Sequence, residues 1–359
     1  MIHNEENPLG IKSIDHLEFC VSDLSTPTKD LFLTFGFEKI AQHQSLPMEL
    51  FGQGQIRFVI NADHNSRAFD YFQRHGEGVS KIAFLVEDAE YAYQTALLRG
   101  AESVSPAERK TTPAGEYVSA SIKGFGDVIN EFVQRPSDLF HPDFKTIERD
   151  PNNRPLKQRF SRIDHLTNNV PYGEMKKWVA FYKQIFGMKV TRYFDIKGVK
   201  TGLESEVVQL PNNSVIIPIN EPDRADSKSQ IQEFLDRHHG PGVQHIALMT
   251  GNIYDSVSEL RERGIKFLSI PDSYYDQVPK RLPQVAEKEN IPALKNCQLL
   301  VDGDQDGYLI QNFTDTYVGP LFFETIQRKN HWGFGEGNFQ ALFDAIELDQ
   351  MKRGYLKND

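Results

Sequence analysis

The chain has few cysteines, a deficit of basic charge and no long apolar run, and each shortage excludes a class of protein. Its two cysteines, Cys20 and Cys297, lie far apart and form no CxxC pair, so neither a disulfide scaffold nor a thiolate zinc site is expected. Forty basic residues against 50 acidic ones give a net charge of -10, which disfavours nucleic acid or an anionic membrane as the main partner. No apolar stretch reaches about 18 residues, and the first residues do not resemble a secretory signal. We therefore expect a reduced, cytoplasmic protein.

The 359 residues contain an internal duplication. The motifs IDHL, FGF, GVSKIA and EFVQR return in the same order as IDHL, FGM, GVQHIA and ETIQR, first at residues 14–17, 35–37, 78–83 and 131–135 and then at residues 163–166, 186–188, 242–247 and 324–328. The separation between the copies only grows, as expected if the second copy carries longer loops. We predict two domains, a first half at residues 1–150 and a second half at residues 151–359, joined by the polar stretch 150–155.

Each half also shows an internal pair of modules. In the second half a strand, a helix and short strands follow one another twice, which predicts the order βαβββ in four modules over the chain. The last module is predicted to contain a strand at residues 266–269, followed by a long loop. Apolar residues at helical spacing after Asn338 predict a C-terminal helix capped by this residue and packed on the last strand. The predicted fold class is α+β with duplicated βαβββ modules.

Three repeated strand positions in the second half carry metal-ligating side chains. They are His165, His245 and Glu324, and two imidazoles with one carboxylate form the facial triad of non-heme Fe(II) oxygenases. A single histidine on a strand is more often an ordinary core residue than a ligand. A carboxylate among apolar neighbours, however, needs a partner or a metal ion. The three positions together predict a metal site in this half.

The first half carries His16, Lys81 and Glu131 at the corresponding positions. The ammonium of Lys81 stands where a neutral donor is needed, so this half is not expected to bind metal. Lys81 is instead a candidate partner for the carboxylate of Glu131. Another histidine pair, His238 and His239, resembles a ligand pair only in sequence. Adjacent side chains diverge at a helix end, so we expect this pair to be solvated.

Four segments of the second half resemble the 4-hydroxyphenylpyruvate dioxygenase family, which has the vicinal oxygen chelate fold. They are IDHLTNNV, VQHIAL, FFETIQR and GFGEGNF, at residues 163–170, 243–248, 322–328 and 333–339. The resemblance runs through most of the chain, and the segments are highly specific in this order and spacing. It implies two half-barrel-like domains, a catalytic second half with a C-terminal gating helix, and a homodimer or homotetramer.

The resemblance also implies a site. One Fe(II) per chain would be held by His165, His245 and Glu324, with O2 and a small-molecule 2-oxo acid as co-substrates. Asn220, Gln244 and Gln311 are implied to act in catalysis. The residues implied to bind the substrate are Ser205, Pro218, Asn220, Gln230, Phe313, Phe322, Phe334, Asn338 and Phe339.

The implied activity is the conversion of 4-hydroxyphenylpyruvate and O2 to homogentisate and CO2, a step of tyrosine catabolism. A 4-hydroxymandelate synthase would use the same iron site, substrate and fold, but Pro218 and Asn220 resemble the dioxygenase pocket more closely. A binding protein that kept the fold and lost catalysis is disfavoured by the intact triad. An extradiol catechol dioxygenase is disfavoured by the detailed match of the second half.

Overall fold

The computed structural model describes residues 5–148, 159–198, 200–225, 228–333, 335, 337–338, 340, 343, 346–347, 350–351 and 353–356. These residues form two large sheets, one in each half, with helices packed against them. The predicted linker at residues 150–155 lies outside the described residues, so the domain bounds remain a prediction.

The described part of the first half contains two βαβββ modules, a helix between them and a short extra strand. Its elements are β1 (Ile11–Cys20), α1 (Pro27–Thr34), β2 (Glu38–His43), β3 (Met48–Gln53), β4 (Ile56–Asn61), α2 (Arg67–His75), β5 (Gly78–Val86), α3 (Ala89–Leu98), β6 (Ser103–Thr112), β7 (Gly115–Lys123), β8 (Ile129–Gln134) and β9 (Phe144–Thr146).

The second half repeats this plan with a longer last connection. Its elements are β10 (Phe160–Asn169), α4 (Met175–Phe186), β11 (Lys189–Lys197), β12 (Gly202–Gln209), β13 (Ile216–Pro222), α5 (Gln230–His238), β14 (Gly242–Thr250), α6 (Ile253–Glu262), α7 (Asp272–Arg281), α8 (Pro283–Ala286), α9 (Ile291–Asn296), β15 (Leu300–Gly303), β16 (Tyr308–Phe313) and β17 (Phe322–Lys329).

Apart from the extra edge strand β9, the two sheets have the same topology, with strand orders β6-β7-β8-β5-β1-β4-β3-β2-β9 and β15-β16-β17-β14-β10-β13-β12-β11. At the centre of each sheet the first strands of its two modules pair antiparallel, β1 with β5 and β10 with β14. The last strand of each module returns parallel to its first, as β4 does beside β1 and β17 beside β14. The duplicated modules and half-barrel sheets predicted from the sequence are therefore confirmed.

Helix α4 shows how the sequence positions these elements. Met175, Val179, Tyr182 and Phe186 recur three or four residues apart and are all buried, so the helix presents one apolar face to the sheet. The helix ends at Gly187, where a left-handed φ of 73° suits a residue without a side chain. The helix predicted here is confirmed.

One hydrophobic core continues from the first half into the second. Phe35, just after α1, packs on Phe323 of β17 with ring centroids 5.0 Å apart. Phe84 of β5 packs on Phe186 of α4 with centroids 5.3 Å apart. The first half therefore supports the sheet that carries the candidate site.

The expectation of a solvated histidine pair is wrong for His238. Its side chain is buried at the junction of the halves, where Tyr71 donates a hydrogen bond to its Nε2 at 2.8 Å. Its ring also stacks on His75, with centroids 4.5 Å apart. Burial lowers the pKa of His238 to about 4, so the ring is neutral at neutral pH. His239 alone is exposed, as expected.

The last module departs from the prediction in its long connection. Residues 266–269 form no strand, and Phe267 makes only an isolated bridge to Thr314. The predicted loop after them contains the helices α7, α8 and α9, which pack in a second apolar cluster through residues such as Val278 and Leu294. Four residues are too few for periodicity to separate a strand from a bridged loop.

The described residues of the C-terminal segment confirm a helix, with a different partner from the one expected. Phe343 packs in a cluster formed by β11, β12, β13 and α5, and only Ile346 reaches the cluster that contains Phe322 of the last strand. Asn338 is already helical, so it does not cap the helix as predicted.

The structure also describes the two cysteines and the length of the helices. Cys20 and Cys297 are both free thiols. Within the described part of the chain, every helix is too short or too polar to cross a membrane.

Candidate metal centre

Three neighbouring strands of the second sheet bring His165, His245 and Glu324 together. His165 on β10 lies opposite Ala247 on β14, and Ala247 lies opposite Glu324 on β17. His245 precedes Ala247 by two residues and therefore points to the same face of the sheet. Strand register thus joins three residues that are far apart in the sequence.

The three side chains are buried and converge on one point. Glu324 Oε2 lies 3.2 Å from His165 Nε2 and 3.4 Å from His245 Nε2, and one possible ligand atom from each residue lies within 4.8 Å of the others. The second carboxylate oxygen, Glu324 Oε1, is buried and has no hydrogen-bond partner in the described part of the chain. Such an oxygen is costly unless it binds a cation, so the donor set fits a metal ion.

Both histidines are held by hydrogen bonds at the nitrogen that faces away from Glu324. His165 Nδ1 donates to Asp164 at 2.9 Å, and Arg328 donates twice to the same carboxylate, at 2.7 and 2.8 Å. His245 Nδ1 donates to Gln244 Oε1 at 3.0 Å. These contacts select the tautomer that leaves each Nε2 lone pair for a metal.

Asp164 and Arg328 were not singled out from the sequence, and Thr167 was also missed. The repeated motifs could have indicated Asp164 and Arg328, because both residues are repeated in the first half. Asp15 precedes His16 there, and Arg135 ends the motif that begins with Glu131. Thr167, whose hydroxyl lies 2.9 Å from His245 Nε2, had no such signal.

The charges of the triad depend on one another. Burial disfavours protonation of His165, but the carboxylates of Glu324 and Asp164 outweigh burial and raise its pKa to about 9. Burial lowers the pKa of His245. Burial favours a neutral Glu324, yet the two histidines outweigh it and lower the pKa of this carboxyl. At neutral pH the metal-free triad therefore carries one proton more than two neutral imidazoles and an ionised carboxylate would, and His165 holds it.

Metal binding is expected to release about one proton per chain near neutral pH, because a ligating imidazole must be neutral. Below the pKa of His165, about 9, the metal competes with this proton, so its affinity should rise about tenfold per pH unit and level off above that value. Calorimetric titration with Co(II) in buffers of different ionisation enthalpy measures the protons released. A pH-independent affinity without proton release would contradict the charge assignment.

Asp164→Asn is expected to weaken metal binding by about 10- to 100-fold, because the neutral amide holds His165 less firmly and leaves Arg328 without its counter-charge. Anaerobic titration with Fe(II) checks the affinity. Asp15→Asn is the matched control, since Asp15 contacts His16 and Arg135 in the same way in the first half. An equal loss of affinity in both variants would show that the effect is not local to the triad.

A cavity beside the triad is lined by four of the residues predicted to act in catalysis or to bind the substrate. Ser205 of β12, Pro218 of β13, and Gln311 and Phe313 of β16 lie on its wall together with the triad. Ser205 Oγ and Gln311 Oε1 are buried without a hydrogen-bond partner among the described residues. Three further wall residues were not singled out from the sequence: Phe194, Val207 and Ile326, the last of which lies in the repeated ETIQR motif.

Three other predicted residues line a neighbouring cavity of about 490 Å3. Gln230 and Gln244 lie on its wall, and so does Phe322, which stacks on His245 with ring centroids 4.8 Å apart. Gln244 and Phe322 therefore each contact His245, whereas Gln230 lines only the neighbouring cavity, from the start of α5.

Two further predicted site residues, Asn220 and Asn338, do not line the triad cavity. Asn220 is buried on β13 and donates to Asn169 Oδ1 at 3.3 Å. Asn338 is buried and accepts a hydrogen bond from Tyr274 at 2.8 Å. Phe334 and Phe339 lie outside the described residues. The roles assigned to these four residues remain predictions.

The first half repeats the strand geometry of the triad. His16 lies opposite Ala83, and Ala83 lies opposite Glu131, which is the register of the second half. Asp15 accepts from His16 Nδ1 at 2.8 Å and from Arg135 at 2.7 Å. Two of the three ligand positions and their supporting contacts are therefore preserved in this half.

Lys81 occupies the third position, where the second half has His245. Its Nζ lies 3.5 Å from Glu131, as predicted, and 3.2 Å from Glu18, a carboxylate that is buried. Burial alone would lower the pKa of Lys81, but Glu131 and Glu18 outweigh burial and raise it. The ammonium thus supplies in this half the positive charge that a metal ion would supply beside Glu324.

Comparisons with known proteins agree with this geometry. The family model described as hydroxyphenylpyruvate dioxygenase, N-terminal, matches residues 5–145, and that of the glyoxalase/bleomycin resistance protein/dioxygenase superfamily matches residues 162–279. Hemolysin VllY of Vibrio vulnificus is 42% identical, over 98% of this chain and 98% of its own length. The 4-hydroxyphenylpyruvate dioxygenase of Pseudomonas aeruginosa is 40% identical, again over 98% of both chains.

A solved structure shares the whole architecture. A mutant of 4-hydroxymandelate synthase from Streptomyces coelicolor superposes with a TM-score of 0.83 and 27% identity, covering 95% of this chain and 99% of that one. The full-length identity to dioxygenases, the matching fold and the buried triad lead to one assignment. The chain belongs to the 4-hydroxyphenylpyruvate dioxygenase family of enzymes.

Proposed function

We propose that this chain is an Fe(II)-dependent 4-hydroxyphenylpyruvate dioxygenase that converts 4-hydroxyphenylpyruvate and O2 to homogentisate and CO2 in tyrosine catabolism. The observation that carries this proposal is the buried triad of His165, His245 and Glu324, with an unpartnered carboxylate oxygen at its centre. One Fe(II) per chain, held by these residues, supplies the redox chemistry for O2 and a Lewis acid for the 2-oxo acid.

The residues around the triad hold and protect the reacting groups. Asp164 and Gln244 fix the orientation of the two imidazoles through their Nδ1 atoms. Phe313 and Phe322 pack around His245, with ring centroids 6.3 and 4.8 Å away, and keep water from that side of the site.

The polar groups of the cavity wall suit a substrate that has a phenol, an apolar ring and a 2-oxo acid. Ser205 Oγ and Gln311 Oε1 are buried with nothing to bond in the described part of the chain, and a buried polar atom of this kind requires a partner. We assign them to the polar groups of the substrate, and Pro218 and Phe313 to its ring. Asn220, whose Oδ1 is also unpartnered, is assigned to the same network.

The neighbouring cavity and the C-terminal segment complete the proposed pocket. Gln230 and Phe322 belong to its approach, since they line the adjoining cavity with Gln244. Asn338 is buried at the start of the C-terminal helical residues. With Phe334 and Phe339, it is assigned to a gate that closes over the substrate.

The second candidate is a 4-hydroxymandelate synthase, because such an enzyme has the same architecture over 95% of this chain. The two activities share iron, substrate and triad, and they differ in the carbon that is hydroxylated. A non-catalytic binding protein of this fold is the third possibility, and the intact triad argues against it.

Product identification tests the proposal. Purified protein is incubated with Fe(II), ascorbate, O2 and 4-hydroxyphenylpyruvate, and the product is separated by chromatography against standards, because homogentisate and 4-hydroxymandelate are isomers. Homogentisate is expected. Hydroxymandelate as the product would identify the protein as a 4-hydroxymandelate synthase. Absence of turnover by the iron-loaded protein would overturn the proposed activity.

We also propose a cytoplasmic homodimer or homotetramer with domains at residues 1–150 and 151–359. The free thiols Cys20 and Cys297 suit a reducing compartment. The boundary is supported by the two sheets, which occupy opposite sides of it in the sequence. Light scattering coupled to size-exclusion chromatography tests the oligomeric state, and a monomer would contradict it.

A further inference from the structure

A second polar cavity, of about 370 Å3, lies where the two halves meet. In the first half its walls come from β1, β5, the β3–β4 turn with the start of β4, and the residue after β8. In the second half they come from β10 and the β12–β13 turn. Its lining residues are all different from those of the triad cavity. It is therefore a separate feature from the metal centre.

This junction cavity is strongly basic in an acidic protein. Lys12, Arg57, Arg135 and Arg162 line it, whereas the whole chain has a net charge of -10. The carboxylate of Asp15 also lines it, but that group is already bonded to Arg135 and to His16. Four cations therefore face one carboxylate.

The other three cations have no carboxylate partner among the described residues. Arg57 donates from one terminal nitrogen to the backbone oxygens of Gly54 and Ile56, each at 2.8 Å, which leaves its other donors for a ligand. Arg162 donates to Met249 Sδ at 3.3 Å. Lys12 is exposed and forms no ion pair with another described residue. Like charges gathered in this way repel one another unless an anion lies between them.

A neutral donor at the same place also lacks a partner. Ser214, in the β12–β13 turn, lines the cavity, and its Oγ is buried with no hydrogen bond to any described residue. Buried hydroxyls without a partner are uncommon in folded proteins, so this one independently indicates a missing acceptor. An oxyanion is an acceptor for both the hydroxyl and the guanidinium groups.

From this arrangement we propose that the junction cavity is a binding site for a small polyanion with phosphate or carboxylate oxygens. The guanidinium of Arg57 and the ammonium of Lys12 bind it from the first half, and Arg162 and the Ser214 hydroxyl bind it from the second. Planar guanidinium groups suit such oxyanions because they can donate two parallel hydrogen bonds. A bound anion would link the two halves and stabilise their packing.

Calorimetric titration of the full-length protein with pyrophosphate and with citrate, at constant ionic strength, tests the proposal. Saturable binding of about one anion per chain is expected, together with a rise in Tm. The Arg57→Gln, Arg162→Gln double variant should weaken binding by about 10- to 100-fold, since it removes two charge-assisted contacts. A preference for pyrophosphate or for citrate identifies the phosphate or the carboxylate class.

Two further variants keep the test decisive. Lys12→Gln removes an exposed charge from the cavity without disturbing packing, and it should also weaken binding. Arg67→Gln, at an exposed position on α2 outside the cavity, should bind as the wild type does. Unchanged affinity in the double variant and in Lys12→Gln would overturn the proposal, as would the absence of saturable binding up to about 10 mM in the wild type.

Discussion

Replacement of His245 by alanine is expected to abolish metal binding and dioxygenase turnover while the chain keeps its fold. His245 supplies one of three donor atoms that lie within 4.8 Å of one another, and the two that remain cannot form a facial triad. Loss of an outer contact to a ligand typically costs 10- to 100-fold in metal affinity, so loss of a donor should exceed about 100-fold. Anaerobic Fe(II) titration and the homogentisate assay measure the two losses.

The fold of this variant should survive, because the imidazole is not part of the apolar core that joins the halves. Circular dichroism and denaturant unfolding of the metal-free proteins check this point. Lys81→Met is the matched control, since Lys81 holds the corresponding strand position in the first half. It should bind one metal ion per chain as the wild type does. Iron-dependent turnover retained by His245→Ala would refute the ligand assignment.

Lys81→Met is in turn expected to destabilise the folded chain by about 3 kcal/mol, because it leaves the buried Glu18 and the half-buried Glu131 without their shared cation. Methionine retains much of the apolar stem, so the loss reports mainly the charge. Breaking a buried ion pair typically costs ~3–5 kcal/mol, and we expect the lower end because the Lys81 side chain is 22% exposed. Urea unfolding at neutral pH measures the change.

Lys123→Met is the control for the stability prediction. The ion pair of Lys123 with Glu102 is largely exposed, with side chains 64% and 71% accessible, and such pairs contribute little. Its unfolding midpoint should match that of the wild type. If Lys81→Met unfolded at the same urea concentration as this control, the ammonium would not be what holds the first-half carboxylates in place.

His245→Ala is expected to remove metal binding and Lys81→Met to lower stability, although the two residues hold corresponding positions in the two halves. His16 and Glu131 share the register of His165 and Glu324, and the exchange of one side chain, Lys81 for His245, distinguishes the two centres. In the second half the charge balance depends on an added ion. In the first half the positive charge belongs to the Lys81 side chain, so we expect that half to fold without a metal ion.

Much of the second half could be predicted from the amino-acid sequence. Local patterns carry secondary structure, so the helix at Met175–Phe186 and the βαβββ order followed from apolar spacing. The triad could be predicted because His165, His245 and Glu324 each had a counterpart in the other half. A repeated position that changes residue type is informative even without knowledge of what it contacts.

These local patterns do not predict contacts between residues that are distant in the sequence. The burial of His238 depends on Tyr71 and His75 from the other half, and the bond from Asp164 to Arg328 joins strands that are distant in sequence. The separation of Gln230 from the triad cavity has the same cause, since it depends on where α5 packs.

The repeated motifs and their residue types were thus sufficient for the module order, the fold class and the three candidate ligands, because these depend on local periodicity and on the chemistry of single side chains. The tertiary structure alone decided the distances within the triad and the hydrogen bonds that select its tautomers. It also decided the position of the cation between two carboxylates in the first half and the basic cavity between the halves. Each of these needs a strand register or a junction that brings distant residues together, and register is set by the burial of whole sheet faces.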